Sequence, residues 1–462
     1  MSACPAQAGR PKYDIGEIAR QHRDDLEARH TLGARQKRVL TDLGRCRTAA
    51  LGGHLDVCLD CGYERPSYNS CRNRHCPKCQ SLAAEVWIEK RKEQLLDIGH
   101  FHVVFTMPAE LRPLAMHASA VVFGALFQAA TGTLIELGLS RFDATLGATL
   151  VLHTWTRDLR FHPHVHAIVT AGGLTRDGER FHHAPRYLFP VEVMGELMRG
   201  KMLAALSEAY AAGAFASYAE FQDPAAFARL ITKLDKRRAW IVYAKKPFKK
   251  SQYVLAYLGR YTHRVGIANS RLLEVTHDRV VFRTKGAGTA TVTPVEFLLR
   301  FLQHVLPEGF HKIRHIGLYA SPAKLAVARE KLSMRPPAPR LRLSWEQRLL
   351  ATTGRDVRRC PVCNGVLVRQ ALPPARGPPA GDESRRLSFT CNVERPAPRR
   401  VMALCCFGSK IQGDEARLDE ARRPTNRPRL ARCQPQASTL PRSYPLPCRA
   451  PPAAQIEKRI AT

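Results

Sequence analysis

The chain has 462 residues, 45% of them hydrophobic, and carries 72 Lys and Arg against 40 Asp and Glu, for a formal net charge of +32. This length and apolar content exclude a small metal-held peptide and allow a sizeable core in two or three domains. The charge implies a polyanionic partner, captured quickly and in a salt-dependent way, without saying how a sequence would be recognised.

The N-terminus is polar and charged around Arg10-Pro-Lys-Tyr-Asp14 and has no apolar signal core, so a cytoplasmic protein is expected. The longest uncharged run, 118–135, is interrupted by Ser, Gln, Thr and Gly. It reads as an amphipathic helix rather than a membrane span, and no membrane partner is expected. Residues 14–44 read as helical with a break at Thr31-Leu-Gly33, and 81–98 as a second helical stretch rich in Ala, Glu, Lys and Leu.

Between them lie two Cys-x-x-Cys knuckles, Cys58-Leu-Asp-Cys61 and Cys76-Pro-Lys-Cys79, separated by 14 residues. That spacing is close to a zinc ribbon, in which four thiolates surround one tetrahedral Zn²⁺, so Cys58, Cys61, Cys76 and Cys79 are the expected zinc ligands. Cys71, His75 and His54 stand in or near the same loop as substitutes or as parts of a second site. Arg72 and Arg74, with Tyr63, Arg65, Tyr68 and Lys78, mix cations with aromatic rings as nucleic-acid surfaces do.

Further along, 101–107, 149–156 and 163–170 read as strands of an antiparallel sheet, with 238–244 and 279–284 as further strand candidates. Helices are expected at 118–137, 191–212, 253–260 and 294–305. Sheet with segregated helices is an α+β arrangement. In the third strand, His164-Val-His166 sets two imidazoles on one side, because residues i and i+2 of a strand point the same way. Two such rings can hold a divalent metal. Tyr253, Tyr257 and Tyr261 recur every four residues, which stacks three phenols along one helix face. A metal site and a tyrosine ladder together suggest phosphodiester chemistry, the metal assisting a phenol whose ordinary pKa of about 10 makes it a weak nucleophile. Just before the ladder, 233–250 concentrates cations (Lys245, Lys246, Lys249 and Lys250 among them) around Trp240 and Tyr243, as a cradle for a DNA backbone would.

After Met334 Arg, Pro and Ala dominate. Cys360-Pro-Val-Cys363 is a knuckle without a regular second half, Cys391, Cys405 and Cys406 being irregularly spaced. From Pro373 onward the Pro clusters and scattered arginines read as disordered.

The order Phe105-Thr-Met-Pro108, His164-Val-His166, Tyr257-Leu-Gly-Arg-Tyr261 resembles the three motifs of HUH endonucleases, most closely the two-tyrosine rolling-circle transposases of bacterial insertion sequences, the IS91-like family. Cys71-Arg-Asn-Arg-His-Cys-Pro-Lys-Cys79, Tyr257-Leu-Gly-Arg-Tyr-Thr-His-Arg264 and Gly309-Phe-His-Lys-Ile-Arg-His-Ile-Gly317 are similar to the same family, and the resemblance spans roughly residues 12–325. It implies an antiparallel-sheet HUH domain preceded by a helical and zinc-ribbon-like module. The activity implied is a transposase that nicks one DNA strand at an element end, becomes linked to the 5′ phosphate and transfers that strand to a target. The expected nucleophiles are Tyr257 and Tyr261, although Tyr253 and Tyr257 share the spacing, with Arg260 and Arg264 as phosphate contacts. HUH relaxases complete the metal site with a third polar residue. A hairpin turning near Leu159-Arg160 would set His153 opposite His166, and His162 is the rival, made uncertain by Pro163. Mg²⁺ or Mn²⁺ is the expected catalytic metal, although imidazoles alone also suit zinc.

The expected domains are 1–98 (helical and zinc-binding, DNA-binding), 99–325 (catalytic), 326–372 (basic extension with the single knuckle) and 373–462 (tail). Two alternatives stand beside the transposase. One is a plasmid replication initiator or relaxase with the same chemistry, and the other a catalytically inactive zinc-dependent DNA-binding protein.

Overall fold

The computed structural model describes residues 11–186, 188–237, 240–248, 254, 259, 266–336 and 343–375. Its centre is a six-stranded antiparallel sheet in the order β11-β4-β5-β3-β7, with β6 paired to β5. The strands are β3 (His100–Thr106), β4 (Ala144–Trp155), β5 (Phe161–Thr175), β6 (Phe181–His183), β7 (Val242–Phe248) and β11 (Ile313–Gly317). Every residue of β3 is buried. Alternation assigns each side chain to a face. Phe101, Val103 and Phe105 of β3, Leu150 and Leu152 of β4, and Val165, Ala167 and Val169 of β5 pack with α6 (Ser119–Phe142) and α7 (Val191–Ala211) into the largest core.

The helix α6 is long and apolar enough to cross a membrane by length and composition alone. However, 56% of its most apolar window is buried inside the protein, as the core helix of a folded domain would be. Its C-terminus is closed by Asp143 in the left-handed conformation, a position that Asn and Asp tolerate better than most residues.

The opposite face of the sheet presents His100, His102 and Thr106 from β3, His153 from β4, and His164, His166 and Ile168 from β5, as alternation requires. Val151 and Ile168 join Leu95, Leu96, Val254, Leu318 and Tyr319 in a second cluster there, against which Trp87 and Ile88 of α4 (Gln80–Gln94) pack.

The N-terminal helices α1 (Ile15–Gln21), α2 (Arg23–Arg29) and α3 (Ala34–Arg45) contain the expected break before Ala34 and a further one at His22, which caps α2. They share a core with the short helix Pro294–Leu302 and the three-stranded meander β8 (Leu272–Val275), β9 (Val280–Arg283) and β10 (Thr289–Val292). Asp14 ties the two together. It caps α1 through Gly16 N and accepts from Asn269 Nδ2 at 2.9 Å and from Lys78 Nζ at 2.6 Å. A separate three-stranded sheet, β12-β1-β2, pairs β1 (Gly53–Cys58) with β2 (Glu64–Tyr68) on one side and with β12 (Leu367–Leu372) on the other.

The β4–β5 hairpin differs from the expected register. His153 faces His164, and Val151 faces His166. The turn is centred earlier than expected, on Arg157 to Leu159, with Leu159 in the left-handed conformation and Thr156 N donating to Arg160 O at 3.0 Å. Pairing is irregular between His153 and Trp155, opposite Pro163, which has no N–H to offer the ladder. A slip of two residues preserves the face, so the three histidines still converge.

Candidate metal centres and nucleic-acid interface

Ring nitrogens of His153, His164 and His166 lie within 4.8 Å of one another. His164 Nδ1 lies 2.7 Å from the carbonyl of His162, which can only accept, so His164 carries its proton on Nδ1 and its Nε2 is a bare acceptor. That Nε2 points at His166 Nε2, 3.1 Å away. On its other side, His166 meets His102 Nε2 through Nδ1 at 2.9 Å. If His166 donates from Nδ1 to His102, both Nε2 lone pairs face one point. Two nitrogens about 3 Å apart suit adjacent positions around a metal with bonds near 2.1 Å. Burial holds His164 neutral, with its pKa down at about 4, and pushes His102 to about 3 and His166 in the same direction. Neutral imidazoles are the form that binds metal. Trp155 stacks on His153 at 4.5 Å.

His162, the rival third ligand, is held elsewhere, with Nδ1 3.1 Å from Arg112 Nη2. The Phe105-Thr-Met-Pro108 motif adjoins the cluster, since Thr106 is the ladder partner of His164 and Val104 that of His166. On the far side of β3, His102 is paired with Lys245 and Val104 with Tyr243.

Tyr253, Tyr257, Tyr261, Arg260, Arg264, Lys249 and Lys250 lie outside the described residues, as does the side chain of Lys246. Within that segment Val254 is buried in the cluster on the histidine face. Gly259 touches α4 so closely that a Cβ there would run into Ile88.

The four expected zinc ligands do not share one site. Cys76 and Cys79 group with Cys46 and Cys71, whereas Cys58 and Cys61 group with Cys360 and Cys363. The reason is the β1–β2 hairpin. It carries Cys58 and Cys61 to its tip, while the chain after Tyr68 returns Cys71 to the end of α3, where Cys46 caps the helix. In this first group Cys46 Sγ lies 3.4 Å from Cys79 Sγ and 3.5 Å from Cys76 Sγ, and Cys71 Sγ lies 3.7 Å from Cys79 Sγ. Hydrogen bonds from Cys46, Cys71 and Cys76 hold the Cys79 thiol well below its ordinary range, while the neighbouring thiols push Cys71 and Cys76 up. His75 is not a ligand of either group. Its Nδ1 donates to Asn73 Oδ1 at 3.0 Å and its Nε2 accepts from Leu306 N at 3.1 Å. His54 on β1 lies 3.7 Å from Asp56.

Sequence reasoning missed Cys46 and His102. Cys46 precedes the knuckles without a partner in a Cys-x-x-Cys pair. His102 could have been found from its alternation with His100 on the strand that ends in the Phe105-Thr-Met-Pro108 motif.

Beside the first cysteine group a cavity of about 580 Å³ is lined by Arg35, Arg38, Asp42, Arg72, Arg74 and Glu308, among others. Arg74 is partly buried there, donates to Phe310 O at 2.8 Å, and has its pKa lowered by burial and by Arg35. Arg72 is exposed and takes a positive φ of 53°. Lys245 is exposed on β7 with its ammonium 5.8 Å from the Tyr243 ring centre.

Residues 147–325 match a family model described as "Putative transposase", and residues 18–107 one described as "Transposase zinc-binding domain". The "Putative transposase y4qJ" of Sinorhizobium fredii is 40% identical over 370 residues, which is 76% of this chain and 93% of that protein. The transposase for insertion sequence element IS801 of Pseudomonas savastanoi pv. phaseolicola is 28% identical over 356 residues, 72% of this chain and 83% of that protein. No solved structure matches the chain.

Proposed function

The chain belongs to the transposase family, of the IS91-like type with an N-terminal zinc-binding domain, and from that premise we propose that it is an HUH endonuclease that moves an insertion sequence by rolling-circle transposition. In this reading it nicks single-stranded DNA at an element end, forms a covalent 5′-phosphotyrosine and passes the strand to a target. The observation that carries the proposal is the histidine group, whose His164 and His166 Nε2 atoms face each other at 3.1 Å with each Nδ1 engaged from behind.

His164 and His166, with His153 as the third ligand, are the residues that would hold a divalent cation. When bound, that cation polarises the scissile phosphate. Three nitrogen donors favour Mn²⁺ over Mg²⁺, which prefers oxygen ligands. Tyr257 and Tyr261 are the proposed nucleophiles. The first attacks the scissile phosphorus and releases a free 3′ hydroxyl, and the second cleaves another strand while the first ester persists, so breaking and joining alternate without ATP. Arg260 and Arg264 steady phosphate charge beside them.

Lys245 adds a cation on the histidine face. Its ladder partner is His102, and its charge also acts on His166. The 1–98 domain supplies a second DNA contact through Arg72 and Arg74 in the cationic groove, with Cys46, Cys71, Cys76 and Cys79 holding a structural Zn²⁺ beside it. The catalytic domain is assigned to 99–325.

The test is cleavage of single-stranded oligonucleotides taken from the DNA flanking the gene, with Mn²⁺ or Mg²⁺, resolving covalent adducts on a denaturing gel. An adduct that survives Tyr253→Phe but is absent in the Tyr257→Phe/Tyr261→Phe double variant and in His164→Ala is the expected result. Zinc-loaded protein that binds these DNAs tightly and forms no adduct would instead be an inactive DNA-binding protein.

A further inference from the structure

We propose that Cys58, Cys61, Cys360 and Cys363 bind a second structural Zn²⁺, and that this ion fastens residues 344–372 to the N-terminal zinc-binding module. Cys360 and Cys363 lie outside both segments matched by the family models. The proposal stands on the geometry of these four thiols and is independent of the reading of the nuclease site.

The two knuckles repeat one backbone design. In the first, Gly62 N donates to Cys58 O at 3.0 Å, Cys58 N donates to Tyr63 O at 2.9 Å, and Gly62 takes a φ of 70°. In the second, Asn364 N donates to Cys360 O at 3.0 Å, Cys360 N donates to Gly365 O at 2.8 Å, and Asn364 takes a φ of 63°. Position for position, each segment reverses just after its second cysteine through a residue type that accepts the left-handed conformation. In the second knuckle backbone N–H groups also point at sulfur, Val362 N at Cys360 Sγ and Gly365 N at Cys363 Sγ, both at 3.4 Å. Such donors stabilise thiolates.

The knuckles face each other across residues 299 and 305 apart in sequence, with Cys61 Sγ 3.6 Å from Cys360 Sγ and Cys58 Sγ 3.4 Å from Cys363 Sγ. A tetrahedral Zn²⁺ with bonds of about 2.3 Å sets its sulfurs about 3.8 Å apart, whereas a disulfide needs about 2.05 Å. Between the knuckles the surface is otherwise poor in reasons to hold together. Among the described residues the apolar cluster there consists of Cys58, Cys360 and Leu367, with Tyr63 packed against them. What reinforces the junction is polar. β12 completes the sheet beside β1 over six residue pairs, and Asp56, 2% exposed, takes Arg65 Nη2 and Arg369 Nε at 2.8 Å each. A junction with so small an apolar core needs a metal or covalent staple.

The experiment uses the full chain purified with its metal. Zinc per chain is measured after thiol modification, together with mass-spectrometric mapping of which cysteines native protein leaves open to alkylation. Two thiolate-bound ions per chain are expected, counted apart from any ion held by His153, His164 and His166. Cys61 and Cys363, although exposed, should resist alkylation until a chelator is added. Cys360→Ser/Cys363→Ser should lose one ion and, in hydrogen exchange, the protection of both 53–58 and 367–372. Cobalt(II) loading of the unmutated apo-protein reads the same count from its thiolate charge-transfer band, which removes dependence on how the variant folds. One thiolate-bound ion per chain with Cys58, Cys61, Cys360 and Cys363 all alkylated in native protein would overturn the proposal. So would a Cys58–Cys363 or Cys61–Cys360 disulfide in protein purified under reducing conditions.

Discussion

His102 Nε2 lies 2.9 Å from His166 Nδ1, and the two rings stack with centroids 5.1 Å apart. A ring in this position fixes which nitrogen of His166 carries the proton and how the ring is turned, as outer partners of metal-bound histidines commonly do. His102→Ala should therefore weaken divalent-metal dependence by about 10–100-fold while leaving maximal adduct formation at saturating Mn²⁺ much closer to normal. His102→Gln, whose carbonyl oxygen can still accept from Nδ1, should recover part of the loss. A Mn²⁺ titration of adduct yield decides it. Equal apparent affinities in all three proteins would make His102 a packing residue.

His304 is fully buried, with Nε2 donating to Leu159 O and Nδ1 accepting from Thr154 Oγ1, each at 3.2 Å. Burial lowers its pKa to about 4, and His100 is lowered to about 4 in the same way. A histidine depressed in the fold stays neutral there while the unfolded chain takes up a proton below about 6.5. The unfolded state then binds more protons, and stability falls as pH drops from about 6.5 to about 4. For His304 alone the full loss is roughly 3 kcal/mol, reached only near pH 4. Denaturant unfolding at pH 7, 6 and 5 should show this decline, and His304→Gln, less stable at pH 7, should show a shallower one. An unchanged slope in the variant would place the acid sensitivity elsewhere.

Much of this was legible in the sequence because period-two alternation survives even where both faces are buried. His164 and His166 share a face whatever the register, and a two-residue slip left His153 on it as well. The register itself was not legible, since it depends on Leu159 adopting a left-handed conformation and on the irregularity opposite Pro163. The sharing of cysteines was equally hidden. Adjacent Cys-x-x-Cys pairs look like halves of one site, but a hairpin between them sends each to a partner that spacing cannot reveal, Cys46 at a helix end in one case and Cys360 beyond the sheet domain in the other. Neither β11 nor β12 is long or strongly alternating, so the pattern of residues alone does not mark them as strands.

The Gly309-to-Gly317 motif ends in such a constraint. Gly317 has a φ of 57°, and a Cβ there would run into the Leu146 carbonyl oxygen, which accepts from Leu318 N at 3.1 Å. Within the same strand His315 bonds Thr149 Oγ1 at 3.0 Å, and Arg314 lies 4.3 Å over the Phe127 ring. Gly317→Ala should destabilise the protein by about 2 kcal/mol or more, from an unfavourable backbone conformation plus the clash. Gly309→Ala, also at positive φ but with open space around it, should cost less than Gly317→Ala. Midpoints of chemical denaturation for the two variants test that ranking, and equal losses would mean that β11 yields at its edge without strain.

Lys245 separates two kinds of cation. It is exposed on β7 beside the histidine face, whereas Arg72 and Arg74 line a groove beside the first cysteine group. If Lys245 neutralises one phosphate of a bound single strand, Lys245→Ala should weaken binding at low salt and lower the steepness of log affinity against log salt by about 0.7. Because a point charge is all this contact requires, Lys245→Arg should retain both affinity and slope. Arg72→Ala should lower the slope by a similar amount only on DNA long enough to reach the groove, while a short oligonucleotide spanning the cleavage site should not register its loss. Fluorescence anisotropy on a short and a long strand across a salt series distinguishes the two. A Lys245→Ala slope identical to that of the unmutated protein on both strands would mean that Lys245 is a solvated charge and that the strand follows another path to His164 and His166.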